Sequence, residues 1–86
     1  MFGKEESHYY VWWDDNGMEH REDGPSVVAK DGSCKFWHHH GKLHREDGPA
    51  VEYADGINSR WYYYGKKINC SSQQEFEKLI KLKSFW

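Results

Sequence analysis

The stretch His-Arg-Glu-Asp-Gly-Pro stands at residues 20–25 and again at residues 44–49. Six identical residues at a shift of 24 residues indicate an internal repeat, and this repeat organises the other patterns of the chain. The same shift relates Val27 to Val51, and it aligns two further sets, Trp13, Trp37 and Trp61, and Gly17, Gly41 and Gly65. The sequence therefore predicts nearly three copies of one unit, the third without its hexapeptide.

Turn residues divide each unit into two short strands. Asp31-Gly32 and Asp55-Gly56 suit the positive backbone angles of two-residue hairpin loops, as does Asn16-Gly17. Proline removes a backbone donor, so Pro25 and Pro49 predict a bend or bulge between turns. The predicted strands cover residues 9–13, 26–29, 34–38, 50–53 and 58–63, with short extensions around 18–20 and 42–44.

The period of the pattern changes after residue 70. Ser72 to Glu75 has the form of a capping box, and Phe76, Leu79 and Ile80 follow at helical spacing. We expect one amphipathic helix over residues 72–83 that caps the hairpin repeats of residues 8–68, with Phe85 and Trp86 extending the contact. The predicted fold is a single domain over residues 1–86: mainly β, an antiparallel meander of β-hairpin repeats with one C-terminal α-helix.

Composition excludes several classes of function. The formal net charge is −2, which speaks against binding of duplex nucleic acid through its phosphates. No stretch is apolar enough for a membrane span or for a signal peptide at residues 1–11. Cys34 and Cys70 lie far apart and fit neither a zinc-binding spacing nor a disulfide scaffold. These features predict a soluble, cytoplasmic protein with reduced thiols.

The segment His-Arg-Glu-Asp-Gly-Pro-Ala-Val-Glu-Tyr-Ala-Asp-Gly at residues 44–56, followed by Trp61 and Gly65, resembles a repeat of small phage proteins. It is also similar to a distant variant of the MORN repeat. The resemblance implies β-hairpins that stack into an elongated sheet. It also implies a viral accessory protein that acts in the host cytoplasm, and it names no ligand.

The repeated hexapeptide has both a structural and a functional interpretation. Alternation along an extended segment places Arg21 and Asp23 on one side and His20 and Glu22 on the other. Arginine of one copy could then pair with a carboxylate of the next, which is a scaffold role and the interpretation we favour. In the alternative, Arg21 and Arg45, together with Arg60, bind the phosphates of a nucleotide ligand.

The run His38-His39-His40, with His44 nearby, raises the question of a metal site. Imidazoles at positions i and i+2 share one face of a strand, so His38 and His40 could bind one ion. The aligned residues one unit later are Tyr62, Tyr63 and Tyr64, which indicates positions that favour flat rings. From the sequence we therefore assign neither a functional metal nor a cofactor.

The aromatic residues form the best candidate for a binding site. Adjacent strand residues point to opposite faces, so one set of rings can lie under the helix while the other stays exposed. Rings interspersed with cations suit base stacking or a hot spot in a protein interface. The candidate binding residues are Trp13, Lys35, Trp37, Arg60, Trp61 and Tyr63, together with Arg21 and Arg45.

The function expected from these features is binding without catalysis. Ser71, Ser72 and Cys70 have no base positioned near them in the sequence, and there is no glycine-rich phosphate loop. We expect a phage factor that binds and inhibits or redirects a host protein, such as a component of antiviral defence. Two alternatives stay open: an oligomeric sponge for a signalling nucleotide, and a structural or virion-associated module. The edge strands also favour a homo-oligomer.

Overall fold

The computed structural model describes residues 2–6 and 8–82. Within those residues the chain forms a mainly β structure followed by one helix, which confirms the predicted mainly β class and the predicted C-terminal helix. The elements in chain order are β1 (Phe2–Glu6), β2 (Tyr9–Trp13), β3 (Val27–Ala29), β4 (Cys34–Phe36), β5 (His38–His39), β6 (Lys42–Leu43), β7 (Val51–Tyr53), β8 (Trp61–Tyr63), β9 (Lys66–Ile68) and α1 (Gln73–Leu82).

The strands form one larger sheet and two separate hairpins. The sheet has the order β1-β2-β3-β4-β7, and all its neighbours are antiparallel. β5 pairs with β6, and β8 pairs with β9, each as a two-stranded hairpin. β1 was not predicted, because Phe-Gly-Lys-Glu-Glu has no period-two alternation and its strand form depends on pairing with β2.

Two predicted strands are interrupted or shortened. The strand predicted over 34–38 divides at Trp37, whose N–H donates to Ala50 O while its carbonyl accepts from His44 N. The chain therefore changes partner from β7 to β6 at this residue. The strand predicted over 58–63 starts only at Trp61, because the Asp55 carboxylate accepts backbone N–H groups from Ile57 and Asn58 and holds a turn.

The two last hairpins turn through the residue pairs His40-Gly41 and Tyr64-Gly65. Both residues of each pair have positive φ, 48° and 86° in the first and 46° and 86° in the second, as a type I′ turn requires. The loop predicted at Asn16-Gly17 is different. Only Gly17 has positive φ there, and Asp14 N donates to Met18 O, so this loop is one residue longer than the predicted two-residue loop.

The longer first loop shifts the register of the strand before it. His20 N donates to Trp12 O, just as His44 N donates to Trp37 O. Trp12, and not Trp13, is therefore the structural counterpart of Trp37. The predicted equivalence of Trp13 and Trp37 was wrong, because counting residues along the sequence cannot detect one additional residue in a turn.

The Asp-Gly loops also differ from the prediction. Gly32 and Gly56 have positive φ, but Asp31 and Asp55 do not, so these are not type I′ turns. Instead, the Asp31 carboxylate accepts the N–H of Ser33, and Gly32 N donates to Ala29 O. The aspartate side chain thus stabilises a longer loop by an Asx-type hydrogen bond.

The pairing register distributes the side chains of the sheet over two faces. Residues directly opposite each other in an antiparallel pair point the same way. One face carries Val11, Val27, Phe36 and Val51 in a row across β2, β3, β4 and β7. The opposite face carries the row Tyr10, Val28, Lys35 and Glu52. Val11 and Val51 are buried, so the first row belongs to the core.

The C-terminal helix has the predicted amphipathic character. Phe76 is completely buried, while Leu79 and Ile80 on the same stripe are half-buried. Ser72 Oγ accepts from Glu75 N, which is the first bond of the predicted capping box. In the second bond the Glu75 carboxylate accepts from Ser71 N instead of Ser72 N. Lys83, Phe85 and Trp86, which the predicted helix and its contact included, lie outside the described residues.

The helix lies beside the last hairpin. Trp61 Nε1 donates to Gln73 Oε1, and Gln73 Nε2 donates to Glu46 O, so the first turn of the helix connects β8 with the second hexapeptide. Among residues 2–6 and 8–82, no helix combines the length and apolar character that crossing a membrane would need.

Candidate functional site

Each hexapeptide holds its arginine over a tryptophan ring. The Arg21 guanidinium carbon lies 4.1 Å from the centre of the Trp12 ring, and that of Arg45 lies 3.7 Å from the Trp37 ring. Nε of Arg21 donates to Asp23 at 3.1 Å, and Nε of Arg45 donates to Asp47 at 2.9 Å. We call these two arrangements the arginine clamps.

The clamps also fix the bend at each proline. Arg21 Nη1 donates to Pro25 O, and Arg45 Nη1 donates to Pro49 O and to the Glu52 carboxylate. The arginine and aspartate that pair belong to the same hexapeptide, so the predicted pairing between neighbouring copies was wrong. The i and i+2 side chains meet because they share one side of an extended segment. Arg21 and Arg45, both proposed ligand contacts, thus lie in internal contacts.

Each hexapeptide histidine connects its unit to a turn 20 residues further along the chain. His20 Nδ1 accepts from His40 N at 3.0 Å, and His44 Nδ1 accepts from Tyr64 N at 2.9 Å. The ring nitrogen that accepts carries no proton, so each imidazole is neutral with its proton on Nε2. The Nε2 atoms lie 3.5 Å from Glu22 in the first case and 3.3 Å from Glu46 in the second.

Several histidines are held in the neutral form by the fold. Burial lowers the pKa of His38, His39 and His44 below the ordinary value for histidine. By contrast, a hydrogen bond with His40 is the main reason why the pKa of Asp14 falls to about 2. The imidazoles of His38, His39 and His44 therefore favour the neutral form.

We expect the free energy of unfolding to decrease as the pH falls from about 7.5 to about 5, because His38, His39 and His44 bind protons more tightly once unfolded. This contribution is complete above the unfolded pKa of about 6.5 and is lost as the pH falls through the lower folded values. Urea midpoints at several pH values measure it. Equal midpoints at both ends of this range would contradict the expectation.

A His44→Asn variant is the control for that measurement. Asn Oδ1 can still accept from Tyr64 N, but the side chain does not titrate. The pH dependence should therefore become shallower in this variant than in the unmodified chain.

An open groove of about 740 Å³ lies between the two hexapeptides. Four carboxylates line it against two guanidinium groups, and the histidines there are neutral. The groove thus carries a negative formal charge, which favours cations and opposes phosphate groups. Its charged lining residues are Arg21, Glu22, Asp23, Arg45, Glu46 and Asp47, and its ring residues are Trp37, His38, His39, His44 and Tyr64.

A second surface is formed by the sheet face opposite the core row. Its flat rings each lie beneath a cation: Lys30 Nζ is 5.5 Å from the Tyr10 ring centre, and the two arginine clamps cover Trp12 and Trp37. We call this surface the cation–aromatic face, and its members are Tyr10, Trp12, Val28, Lys30, Lys35, Trp37 and Glu52 with Arg21 and Arg45.

The predicted binding residues separate into two groups. Lys35, Trp37, Arg21 and Arg45 lie together on the cation–aromatic face. Trp61 and Tyr63 are half-buried in the last hairpin, and Arg60 is exposed beside it, with Nη1 donating to Asn58 O.

Trp13 belongs to neither group. It forms a β-bridge with Glu19, and the tryptophan under the Arg21 clamp is its neighbour Trp12. Trp12, Tyr10 and Lys30 were missed as members of the candidate face. Period-two alternation places Tyr10 and Trp12 on one side of β2, but only the cross-strand register shows that this side is also that of Lys35.

No protein-family model matches this chain, and neither do curated proteins or solved structures. The functional interpretation therefore depends on the two surfaces described above, the acidic groove and the cation–aromatic face.

Proposed function

We propose that this chain is an array of 24-residue β-hairpin units that acts as a non-catalytic binding protein, and that it docks a partner protein on the cation–aromatic face. Following the phage resemblance, we take the partner to be a host protein that is inhibited or redirected. The observation that carries this proposal is the arrangement of flat rings and cations on one face of a single antiparallel sheet.

Recurring contacts support the repeat part of the proposal. The two hexapeptides make the same clamp between arginine, aspartate and tryptophan, and the same bond from a turn amide to a histidine. The turns that receive those bonds have nearly identical positive φ angles. The longer first loop is the point at which the units differ.

The composition of the cation–aromatic face favours a protein partner. Tryptophan, tyrosine and arginine are the residues that contribute most binding energy in protein interfaces. Tyr10 is 44% exposed and Lys35 is exposed, while the clamped rings are half-buried and already ordered. Binding here costs little conformational entropy of the clamped side chains, because the clamps already fix them in the free protein.

The nucleophiles of the chain do not favour catalysis. Burial is the main cause that raises the pKa of the Cys70 thiol, which disfavours the nucleophilic thiolate. Cys34 is buried within β4. A nucleotide-binding role is also disfavoured, because Arg21 and Arg45 are engaged in their clamps and the groove beside them is acidic.

Capture from host-cell lysate tests the proposal with three baits: the unmodified chain, a Tyr10→Ala/Lys35→Glu double variant, and a Tyr53→Ala variant. Tyr53 is 38% exposed and pairs with Cys34, so it lies on the opposite face. We expect one stoichiometric partner whose recovery falls about tenfold or more with the double variant, as loss of a hot spot implies, and is unchanged with Tyr53→Ala. Equal recovery with all baits, or no stoichiometric partner, would refute the proposal.

A further inference from the structure

Two clusters of three rings have nearly the same geometry but different chemistry. In the first, the ring of His20 stacks on His40 at 3.9 Å and 13°, and His39 meets both edgewise. In the second, His44 stacks on Tyr64 at 3.8 Å and 15°, and Tyr63 meets both edgewise. Two phenol rings therefore satisfy the packing in the second cluster, so packing alone does not require the imidazoles of the first.

We propose that His20, His39 and His40 bind a zinc ion. One ring nitrogen from each residue lies within 4.8 Å of the other two. Zinc–nitrogen bonds of about 2.0–2.1 Å in a tetrahedral site would bring the nitrogens to roughly 3.3 Å from each other. Because the rings of His20 and His40 are stacked nearly parallel, at 13°, one of them has to tilt so that both lone pairs point at the ion, and His40 can do this because it lies at an exposed turn.

The surroundings of His40 resemble the outer shell of a zinc site. Its Nδ1 is hydrogen-bonded to the Asp14 carboxylate, so the proton lies on Nδ1 and the Nε2 lone pair is left for a metal. Asp14 itself is fixed, because its other oxygen accepts N–H groups from Asn16 and Met18. Such a carboxylate orients a histidine ligand and increases its basicity.

A fourth ligand is within reach. The Glu22 carboxylate lies 3.5 Å from His20 Nε2, and its side chain is 78% exposed, so it can turn toward an ion. His39 and Glu22 also line the acidic groove, whose negative charge raises the local concentration of cations. Water can occupy the fourth position in place of Glu22.

Zinc binding requires a proton shift on His20. In the metal-free protein Nδ1 accepts from His40 N, so Nε2 carries the proton. When Nε2 binds zinc, that proton is released and Nδ1 takes up one proton from solvent, which leaves a neutral ring and breaks the bond to His40 N. The corresponding bond from Tyr64 N to His44 is not affected.

Titration calorimetry with zinc chloride at about pH 7.5 gives the first test. We expect one ion per chain, and a His39→Tyr/His40→Tyr variant should bind at least roughly 100-fold more weakly because two of three protein ligands are lost. This variant gives the first cluster the rings of the second, so without metal its melting temperature should fall only by the contribution of the lost hydrogen bond between His40 and Asp14. Equal affinities in the two proteins would overturn the proposal.

Two further measurements do not depend on that variant. Asp14→Asn should weaken zinc binding about tenfold, whereas His8→Ala, outside the cluster, should leave it unchanged. In long-range proton–nitrogen spectra, zinc should convert His20 from the Nε2–H to the Nδ1–H tautomer while His44 keeps its Nε2–H form. Zinc binding without this conversion, or no binding at all, would show that the three imidazoles are not a metal site.

Discussion

A Phe76→Ala variant is expected to lose about 3–5 kcal/mol of unfolding free energy. Phe76 is completely buried, and truncation removes its apolar contacts and leaves a cavity in a small core. A chain of 86 residues has a total stability of roughly 4–13 kcal/mol, so this loss is enough to unfold a substantial fraction of the protein. Urea unfolding followed by circular dichroism measures the effect.

The matched control for Phe76 is Leu82→Ala on the same helix. Leu82 is 61% exposed, so its truncation should change the free energy of unfolding by less than about 0.5 kcal/mol. If Phe76→Ala were as stable as Leu82→Ala, the helix would not contribute its buried side to the core, and the role of the helix as a cap would be wrong.

An Arg45→Ala variant is expected to lose about 2–3 kcal/mol of unfolding free energy. The Arg45 side chain is 19% exposed, and its guanidinium group stacks on Trp37 and donates to Asp47, Pro49 and Glu52. Truncation removes the cation from the ring and leaves the Pro49 carbonyl without this donor. Guanidinium titrations followed by tryptophan fluorescence would report both the stability and the changed surroundings of Trp37.

Arg21→Ala is the matched comparison for Arg45→Ala. Arg21 is more exposed and lies further from its ring, at 4.1 Å against 3.7 Å, and Val28 stands at the position that Glu52 has in the second unit. The loss should therefore be smaller, about 1–2 kcal/mol. A larger loss for Arg21→Ala than for Arg45→Ala would contradict the ranking of the two clamps by burial and contacts.

Arg45 is a poor position for testing binding, because it also has a structural role in its clamp. A substitution of Arg45 would remove an internal contact together with any ligand contact, so a loss of binding would not distinguish the two causes. Tyr10 and Lys35 are better positions on the same face, because their side chains are exposed and neither takes part in a clamp.

The local elements follow from patterns that lie within a few residues. β2 was predicted at its observed bounds, and the helix at residues 72–83 was observed as Gln73–Leu82 with Ser72 as its cap. Alternation and capping depend on neighbouring residues, which is why they can be read without knowing the tertiary structure. β1 and β9 lacked such a pattern, and their strand form depends on their partners, β2 and β8.

The candidate site depended more on contacts between distant residues. The sequence indicated that His38 and His40 would share a strand face, but β5 ends at His39 and His40 turns with positive φ. That turn places His40 on His20, a residue 20 positions earlier, and brings in His39 as the third ring. A positive φ at a non-glycine residue is rare, and the alternation rule for strands does not apply to it.

The sequence by itself determined the repeated hexapeptide, the mainly β class, the C-terminal helix and the placement of Arg21 and Asp23 on one side of an extended segment, since all of these depend on short-range order. Only the tertiary structure decided that Trp12 instead of Trp13 lies under Arg21, which face gathers rings and cations, and which histidines meet. The physical reason is that one additional residue in a turn moves every strand partner by one position, and a shift of one residue reverses the face on which a side chain lies.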